Sequence, residues 1–395
     1  MDVKLQFAAI FVGLCLMQST IAKSLVFNFT EPVETCDIVT RAKDAVFSNP
    51  QLTSKSAGLE CSYNVEINNP RVCQIRIDYD ILTLSQPTLS GTRKARAILS
   101  NLFGFSCRDD VLEVTNLQAF SEIVPPICGE NSGQHVYLRV NASLNSRALL
   151  IKPKIADRTS RTDLPIPSWK IRITQLECHN AGGLQNRPSY LEPITNYPMN
   201  PLLKNVSQID GQTAQPIEDE DELIPEILNV RQKRELGTAA NDEYLIAPPG
   251  CLQYYPDRAG AFESFNYNSG RGPYLANLRY ATCFRRSVDV CGIKYTPSFF
   301  RLNYAATANN FLDTDCEKNP YVINNQDNQD FLFIADGQTA DGRRGSKWCG
   351  TSAVNSIVAS SPPGPLYVFF NSDNFTANPG RERGYRINYN VLNNC

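Results

Sequence analysis

The sequence predicts an all-β protein built from two tandem, disulfide-stapled antiparallel β-sandwiches joined by a flexible linker. Three observations lead to this prediction: the cysteines repeat in two sets, each set lies among short apolar or alternating stretches, and a proline-rich, acidic stretch separates the sets. Repeated short strands with Gly/Pro turns are typical of a sandwich or barrel. The predicted boundaries are residues 1–22 for a signal peptide, 24–182 for domain 1, 183–243 for the linker and 244–395 for domain 2.

The first 22 residues have the layout of a secretory signal peptide. Lys4 precedes an apolar run from Leu5 to Met17, and small residues follow at Thr20 and Ala22. The run of 13 residues is too short to span a bilayer. Cleavage after Ala22 and export are therefore predicted. We expect a secreted, extracellular protein without membrane insertion.

The cysteine content also indicates an oxidising compartment. Twelve cysteines remain once Cys15 leaves with the signal peptide, and an even number predicts disulfides. A zinc site favours thiolates closer in sequence than Cys283 and Cys291, the nearest pair, which are eight positions apart. Acceptor motifs for N-glycosylation fit the same compartment, and they begin at Asn28, Asn141, Asn205 and Asn374.

The twelve cysteines form two sets of six with matching spacing. The sets are 36, 61, 73, 107, 128 and 178, then 251, 283, 291, 316, 349 and 395. Subtraction member by member gives offsets of 215, 222, 218, 209, 221 and 217. The flanking sequences repeat as well, since "ICGENSG" corresponds to "WCGTSAV" and "WKIRITQLEC" corresponds to "YRINYNVLNNC". A tandem duplication is therefore predicted.

Each copy contains short stretches with strand patterning. They read "VCQIRIDYDIL", "VYLRV", "LLIKPKI" and "WKIRITQLE" in the first copy, and "YATCFRR", "CGIKYT", "FLFIAD", "LYVFFN" and "YRINYNV" in the second. Turn-forming clusters such as "DGQTADGRRGS" and "SSPPGP" separate the strands. Neither copy shows a long amphipathic helix.

Between the copies, strand patterning disappears over residues 183–241. This stretch is proline-rich, polar and acidic, so it is predicted to stay flexible. Its basic cluster, Arg231, Lys233 and Arg234, resembles the R-x-K/R-R sites of furin-like proprotein convertases, which predicts cleavage after Arg234. The alternative is a solvated charge patch that balances the acidic run. If every disulfide lies within one copy, cleavage would release two separate domains.

The motifs of both copies resemble the CUB domain, a two-sheet β-sandwich of extracellular proteins. Copy one has Cys107-Arg-Asp-Asp110, Cys128-Gly129 and a closing "WKIRI"; copy two has "QDFLFIADG", Cys349-Gly350, "VFFNSD" and "RGYRINY". The opening of copy two, "PPGCLQYY…FESFNY…YLANLRYATC", is similar to insect secreted CUB proteins. The resemblance implies a CUB-like jelly roll, although sequence alone leaves other cysteine pairings open. The implied pairs are Cys36–Cys61, Cys73–Cys178, Cys107–Cys128, Cys251–Cys283, Cys291–Cys395 and Cys316–Cys349.

The resemblance also implies a candidate Ca²⁺ site in copy two. Many CUB domains hold Ca²⁺ with a Glu before the third cysteine, the Asp of "C-x-x-D" and the Asp of "SD", which are the hard oxygen ligands that this ion prefers. Asp330 and Asp373 match, but Asn303 stands at the Glu position and Asp330 follows Cys316 by fourteen residues. In copy one Asp110 matches, while "VNASL" supplies no carboxylate. The alternative is that the aspartates cap turns by accepting nearby backbone N–H groups. No other cofactor is expected.

The sequence offers little support for catalysis. His135 and His179 are the two histidines, and a structural role is favoured for both. The motifs H-E-x-x-H and G-x-S-x-G and the P-loop are absent. The formal net charge of −2 gives no reason to expect a nucleic acid or a membrane surface as partner.

Two basic stretches could bind an acidic glycan or protein, if their arginines do more than solvate loops. They contain Arg343, Arg344 and Lys347 in "DGRRGSKW", and Arg381 and Arg383 in "NPGRERGYR". The predicted function is thus non-catalytic recognition of an extracellular protein or glycan, with a proprotein convertase as processing enzyme. The alternative is a structural component of matrix, cuticle or secretion.

Overall fold

The computed structural model describes residues 36–89, 104–118, 123–143, 147–178, 242–302, 316, 330–351, 358–362, 364–374, 376 and 380–393. In these ranges the regular structure is almost entirely β, with 3-10 helices at Asp242–Leu245 and Asn268–Gly270. Several predictions lie outside the described residues: the signal peptide, the linker up to residue 241, Asn28, Asn205, Arg231, Lys233 and Arg234. No helix in the described ranges is long and apolar enough to cross a membrane.

The described strands of the first half lie between Cys36 and Cys178. They are β1 (Ile38–Thr40), β2 (Asp44–Ser48), β3 (Leu59–Glu60), β4 (Tyr63–Glu66), β5 (Val72–Thr83), β6 (Thr88–Leu89), β7 (Phe105–Ser106), β8 (Val111–Asn116), β9 (His135–Arg139), β10 (Arg147–Ile155) and β11 (Ser168–Glu177). One sheet has the order β1-β4-β10-β3 with β8 also on β10, the other has the order β2-β11-β5-β9, and β6 pairs with β7.

The core of the first half is aromatic and β-branched. Phe47 stacks on Tyr63 with ring centroids 4.5 Å apart, and Trp169 donates its indole N–H to the Tyr63 hydroxyl oxygen at 3.2 Å. Ile77 and Ile173, from neighbouring strands of the second sheet, are fully buried. Side chains alternate between the two faces of a strand, so every second residue of these strands reaches this core.

The described strands of the second half begin at Cys251. They are β12 (Cys251–Tyr255), β13 (Ala259–Glu263), β14 (Arg279–Phe284), β15 (Val290–Arg301), β16 (Phe331–Thr339), β17 (Arg344–Trp348), β18 (Val358–Ser360), β19 (Leu366–Asn371) and β20 (Gly384–Asn393). All the stretches in which strands were predicted are strands in the structure. They pair in the order β12-β14-β19-β16-β18-β15-β20-β13, with β17 on β16.

The second half therefore has one continuous nine-stranded sheet instead of two separate ones. β16 makes the connection, because it pairs with β19 along its first part and with β18 at its end. Rings from distant parts of this sheet still face each other across a core. Phe284 lies 4.5 Å from Tyr389, and Phe370 lies 5.4 Å from Tyr385, measured between ring centroids.

The prediction of purely antiparallel sandwiches is wrong for one strand pair in each half. β1 runs parallel to β4, and β12 runs parallel to β14. Parallel neighbours require a long connection between them, which both pairs have. In the second half the disulfide Cys251–Cys283 joins the two strands of the pair, and in the first half Cys36–Cys61 joins the residues just before them. The cross-links thus hold side by side two strands that run in the same direction.

Disulfides in the described ranges join cysteines of the same half. They are Cys36–Cys61, Cys73–Cys178, Cys107–Cys128, Cys251–Cys283 and Cys316–Cys349, the same pairs that the CUB resemblance implies. Cys291 is also disulfide-bonded, while Cys395, its implied partner, lies outside the described residues. The described residues of both halves belong to one compact unit.

Candidate binding site

A cluster of buried carboxylates lies at one end of the second half. Asp330 directly precedes β16 and Asp373 follows β19, and these two strands are antiparallel neighbours with Phe331 opposite Asn371. The pairing therefore brings the two aspartates to the same edge of the sheet. Glu382, which lies just before β20, joins them. Only 3% of Asp330, 9% of Asp373 and 2% of Glu382 is exposed.

Asp330 is held by hydrogen bonds to both of its carboxyl oxygens. The Tyr274 hydroxyl donates to Oδ2 at 2.5 Å, and the backbone N–H of Asp373 donates to Oδ1 at 2.6 Å. Asp330 thus accepts a backbone N–H, but from a residue 43 positions away and not from its own turn. The structure places the two predicted residues, Asp330 and Asp373, in direct contact.

The environment of Asp330 disfavours its ionised form. Burial raises the pKa of Asp330 well above its usual value, and the negative charges of Asp373 and Glu382 raise it further. The hydrogen bonds from Tyr274 and from the Asp373 backbone act in the opposite direction, because they stabilise the carboxylate. Clustered acidic groups of this kind retain a proton unless a cation compensates their charge.

The donor set is chemically suitable for a hard cation, but the geometry is not that of a formed metal site. The described residues contain no group of three or more Asp, Glu, His or Cys side chains placed to hold a metal ion. Both oxygens of Asp330 already accept hydrogen bonds. Ca²⁺ at Asp330 and Asp373 stays a prediction, which a Ca²⁺ titration followed by thermal unfolding can test.

The corresponding aspartate of the first half has an internal cation as its partner. Arg158 donates from Nη1 to Oδ1 of Asp110 at 2.9 Å and from Nη2 to Oδ2 at 2.5 Å. The backbone N–H groups of Ser85 and Ala156 donate to the same carboxylate at 2.8 and 3.1 Å. The Asp110 side chain is fully buried and that of Arg158 is 1% exposed. The guanidinium neutralises this carboxylate, so Asp110 needs no metal.

The predicted basic stretches lie apart in the chain, one in the β16–β17 hairpin and the other in the connection between β19 and β20. Arg343 and Arg344 stand between β16 and β17 or at the start of β17, and Arg343 pairs with Asp341 at 2.9 Å. The Lys347 ammonium lies 5.1 Å from the ring centroid of Phe331. Arg381 and Arg383 flank the buried Glu382. Arg344 and Arg381 are exposed, whereas Arg383 is half-buried.

Two of the predicted glycosylation sites lie in described regions. In the motif that begins at Asn141, the backbone N–H of Ser143 donates to Oδ1 of Asn141 at 2.9 Å, which forms a local turn. Asn374 follows the carboxylate cluster directly and is half-buried. Both asparagines are at least partly accessible, and glycan attachment at them stays a prediction.

His135 is buried against the backbone of the second half. It is 6% exposed, and its Nε2 lies 2.9 Å from the carbonyl oxygen and 3.1 Å from the amide nitrogen of Tyr254. Such a buried, backbone-bound ring fits the structural role predicted for it. His179 lies outside the described residues.

Three site residues were missed by the sequence analysis: Tyr274, Glu382 and Arg158. Glu382 stands between two arginines in "RERGYR", which reads as an exposed basic loop, yet its side chain faces inward. Arg158 lies 48 residues from Asp110 in an unremarkable polar stretch. No local sequence signal distinguishes either residue, because only the folded sheets bring them to their partners.

The architecture is that of a disulfide-stapled, all-β module, and the comparison with family models finds a match in its second half. Residues 248–392 match the family model described as "Animal CUB domain". This match supports a CUB domain protein with the CUB domain in its second half. CUB domains are in general non-enzymatic binding modules of extracellular proteins.

The other comparisons add little. No curated protein matches the chain. Among solved structures, the CUB1-EGF-CUB2 domains of rat MASP-1 share 12% identity at a TM-score of 0.24, covering 90% of this chain and 100% of that one. The same domains of human MASP-1/3 share 12% identity at a TM-score of 0.23, covering 89% and 100%. The extracellular region of zebrafish Gpr126/Adgrg6 shares 8% identity at a TM-score of 0.21, covering 90% and 36%. Scores this low support no argument about this chain.

Proposed function

We propose that the protein is a secreted, non-catalytic tandem CUB protein that recognises an extracellular protein or glycan. The observation that carries the proposal is the CUB match over residues 248–392, in a disulfide-bonded half whose edge carries a buried acidic cluster. The repeat of cysteine spacing supports a second CUB-like domain in the first half. The predicted signal peptide supports secretion.

The exposed arginines offer one testable binding surface for an acidic glycan. Arg344 is exposed at the start of β17, and the described residues contain no salt bridge to it. An exposed cationic loop attracts polyanions, and the attraction weakens as salt rises. Soluble heparin on immobilised full-length protein, at physiological salt, is a suitable first probe, with neutral dextran as control.

The expected result is saturable heparin binding that weakens in Arg344→Ser and is unchanged in Lys55→Ser, an exposed lysine of the first half. Equal binding of dextran and heparin would remove the glycan version of the proposal. Covalent capture of soluble proteins from extracellular fluid then tests the protein version, for which a stoichiometric partner is expected. Insoluble self-assembly of the purified protein, with neither probe bound, would instead favour the structural role.

We also propose proteolytic processing after Arg234, supported by secretion and by the basic cluster at Arg231, Lys233 and Arg234. Mass spectrometry of the secreted protein under non-reducing conditions tests it. The expected termini begin at residue 23 and at residue 235. A single uncut chain from convertase-expressing cells would contradict processing.

A further inference from the structure

The two halves contact each other through a buried interface. The N-terminal part of the second half, from Asp242 to Asn266, lies against β5, β9, the end of β11 and the Gly129–Gln134 loop of the first half. We propose that this interface holds the halves together without any covalent link, so that a break in the connecting segment leaves one two-chain protein instead of two free domains. The proposal concerns the described residues and does not depend on whether a convertase cuts the chain.

The first component of the interface is a pair of buried glutamines on the first half. Gln74 donates from Nε2 to the carbonyl oxygen of Ala247 at 2.6 Å and accepts the N–H of Ala247 at 2.9 Å, so it pairs with this backbone as a strand would. Gln134 donates to the carbonyl oxygen of Ser264 at 3.1 Å and accepts from Gln253 at 3.3 Å. These side chains are 5% and 4% exposed. Buried amides are stable only when they are paired, and here the partners come from the other half.

The second component is Asn266, which inserts into a space left by a glycine. Its Oδ1 accepts the N–H of Glu130 at 2.8 Å, and its own N–H donates to Oδ1 of Asn131 at 2.8 Å. A Cβ at Gly129 would lie 2.0 Å from Oδ1 of Asn266, and Gly129 has a φ of +80°. The "CG" glycine of the first half thus provides the room that its partner half occupies. Asn266 is completely buried.

The third component is apolar and aromatic. Tyr137 and Leu176 of the first half form one buried cluster with Ala247, Tyr254 and Ala281 of the second. The rings of Tyr137 and Tyr254 meet edge to face at 5.9 Å. Burial of aromatic surface supplies most of the stabilisation at interfaces, while paired polar groups specify the geometry.

The beginning of the second half is fixed to the first half as well. Asp242, which the sequence analysis placed in the flexible linker, accepts from Lys43 Nζ and from the Glu177 backbone N–H, both at 2.9 Å. The covalent connection before it runs through residues 179–241, outside the described residues. The described disulfides all join cysteines within one half. The contacts between the described residues of the two halves therefore involve no disulfide from one half to the other.

The test uses the full-length secreted protein with an unrelated protease site inserted between residues 200 and 220 and a C-terminal affinity tag. After complete cutting, native mass spectrometry at about 1 µM is expected to show one species with the mass of both fragments, which corresponds to a Kd below about 1 µM. A non-reducing denaturing gel is expected to show two bands. Separation of the fragments in native buffer would overturn the proposal. A single non-reducing band would also overturn it, because the link would then be covalent.

A variant tests whether the glutamines belong to the interface. Gln74→Ala combined with Gln134→Ala removes four hydrogen bonds between the halves and leaves their backbone and side-chain partners unsatisfied. Loss of the two hydrogen bonds of one glutamine costs at least about tenfold in the equilibrium constant, so the cut double variant is expected to lose its N-terminal fragment from the affinity resin at least about 100-fold faster. Gln51→Ala, an exposed glutamine of the same half, is the matched control and is expected to behave as wild type. Equal retention of variant and control would exclude the glutamine contacts.

Discussion

Arg158 is the residue whose replacement tests the internal-cation interpretation of the first half. Arg158→Met keeps a long side chain but leaves the Asp110 carboxylate buried without its counter-charge. The pair is almost completely buried, at 1% and 0% side-chain exposure, and is joined by two charge-assisted hydrogen bonds. Removal of one partner of a buried pair costs about 3–5 kcal/mol, because the other charge stays in a medium that solvates it poorly. The N–H groups of Ser85 and Ala156 still contact Asp110 and should place the loss at the lower end of this range.

Differential scanning calorimetry of the full-length protein measures this loss. For a domain of 150–250 residues, about 1 kcal/mol corresponds to about 2–4 °C, so a loss of about 3 kcal/mol is expected to lower the unfolding midpoint by about 6–12 °C. Arg172→Met is the matched control. Arg172 also pairs with an aspartate, Asp80, but the Arg172 side chain is 46% exposed. The substitution Arg172→Met is therefore expected to lower the free energy of unfolding by at most about 1 kcal/mol.

Rescue by a second change separates the lost charge from lost packing. Asp110→Asn in the Arg158→Met background removes the uncompensated charge and keeps an oxygen for one of the two N–H groups, those of Ser85 and Ala156, that donate to Asp110. We expect it to recover about 1–3 kcal/mol of the loss, as residues in one hydrogen-bonded network are coupled. The interpretation fails if Arg158→Met costs no more than Arg172→Met, or if the second change adds to the damage.

Two further predictions concern the carboxylate cluster and a cross-link. Because folding raises the pKa of Asp330, its contribution to stability is present at low pH and is lost as pH rises through that pKa. In urea unfolding from about pH 5 to pH 8, we therefore expect wild type to lose stability relative to Asp330→Asn. The control Asp336→Asn, at an exposed aspartate, is expected to follow wild type. Parallel curves for all three proteins would exclude a buried titrating Asp330. Removal of the Cys73–Cys178 disulfide, which spans 105 residues, by paired serine substitutions should cost about 2–5 kcal/mol in the same assay, and an unchanged unfolding midpoint would contradict its stabilising role.

Local pattern was sufficient to predict nine of the twenty described strands, most of them long ones. "WKIRITQLE" alternates from Trp169 to Thr174, and it becomes β11 (Ser168–Glu177) with Trp169, Ile171 and Ile173 buried on one face. Strand direction was harder to predict, because an alternating pattern is the same in parallel and antiparallel pairs. The parallel pairings of β1 with β4 and of β12 with β14 depend on crossovers that periodicity does not record.

The candidate site was predictable only where a family motif marks it. Asp330 and Asp373 follow from motifs, whereas Tyr274 reaches Asp330 from 56 residues away and Glu382 turns inward from a basic stretch. The interface between the halves was not predicted either, because its residues are far apart in the sequence. Gln74 and Ala247 are 173 residues apart, and nothing in "VCQIRI" shows that a glutamine there will bind another half's backbone.

The buried aspartates of the two halves have neighbours of opposite charge, and this difference indicates where a cationic ligand would act. In the first half Arg158 supplies the positive charge, so Asp110 is already neutralised inside the fold. In the second half Asp330 has a hydroxyl and a backbone N–H as donors, and its nearest charged neighbours in the cluster are acidic. An added cation would compensate the raised pKa of Asp330, whereas Arg158 already stands beside the corresponding Asp110. We therefore propose that any effect of Ca²⁺ on stability arises in the second half, which the Ca²⁺ titration tests.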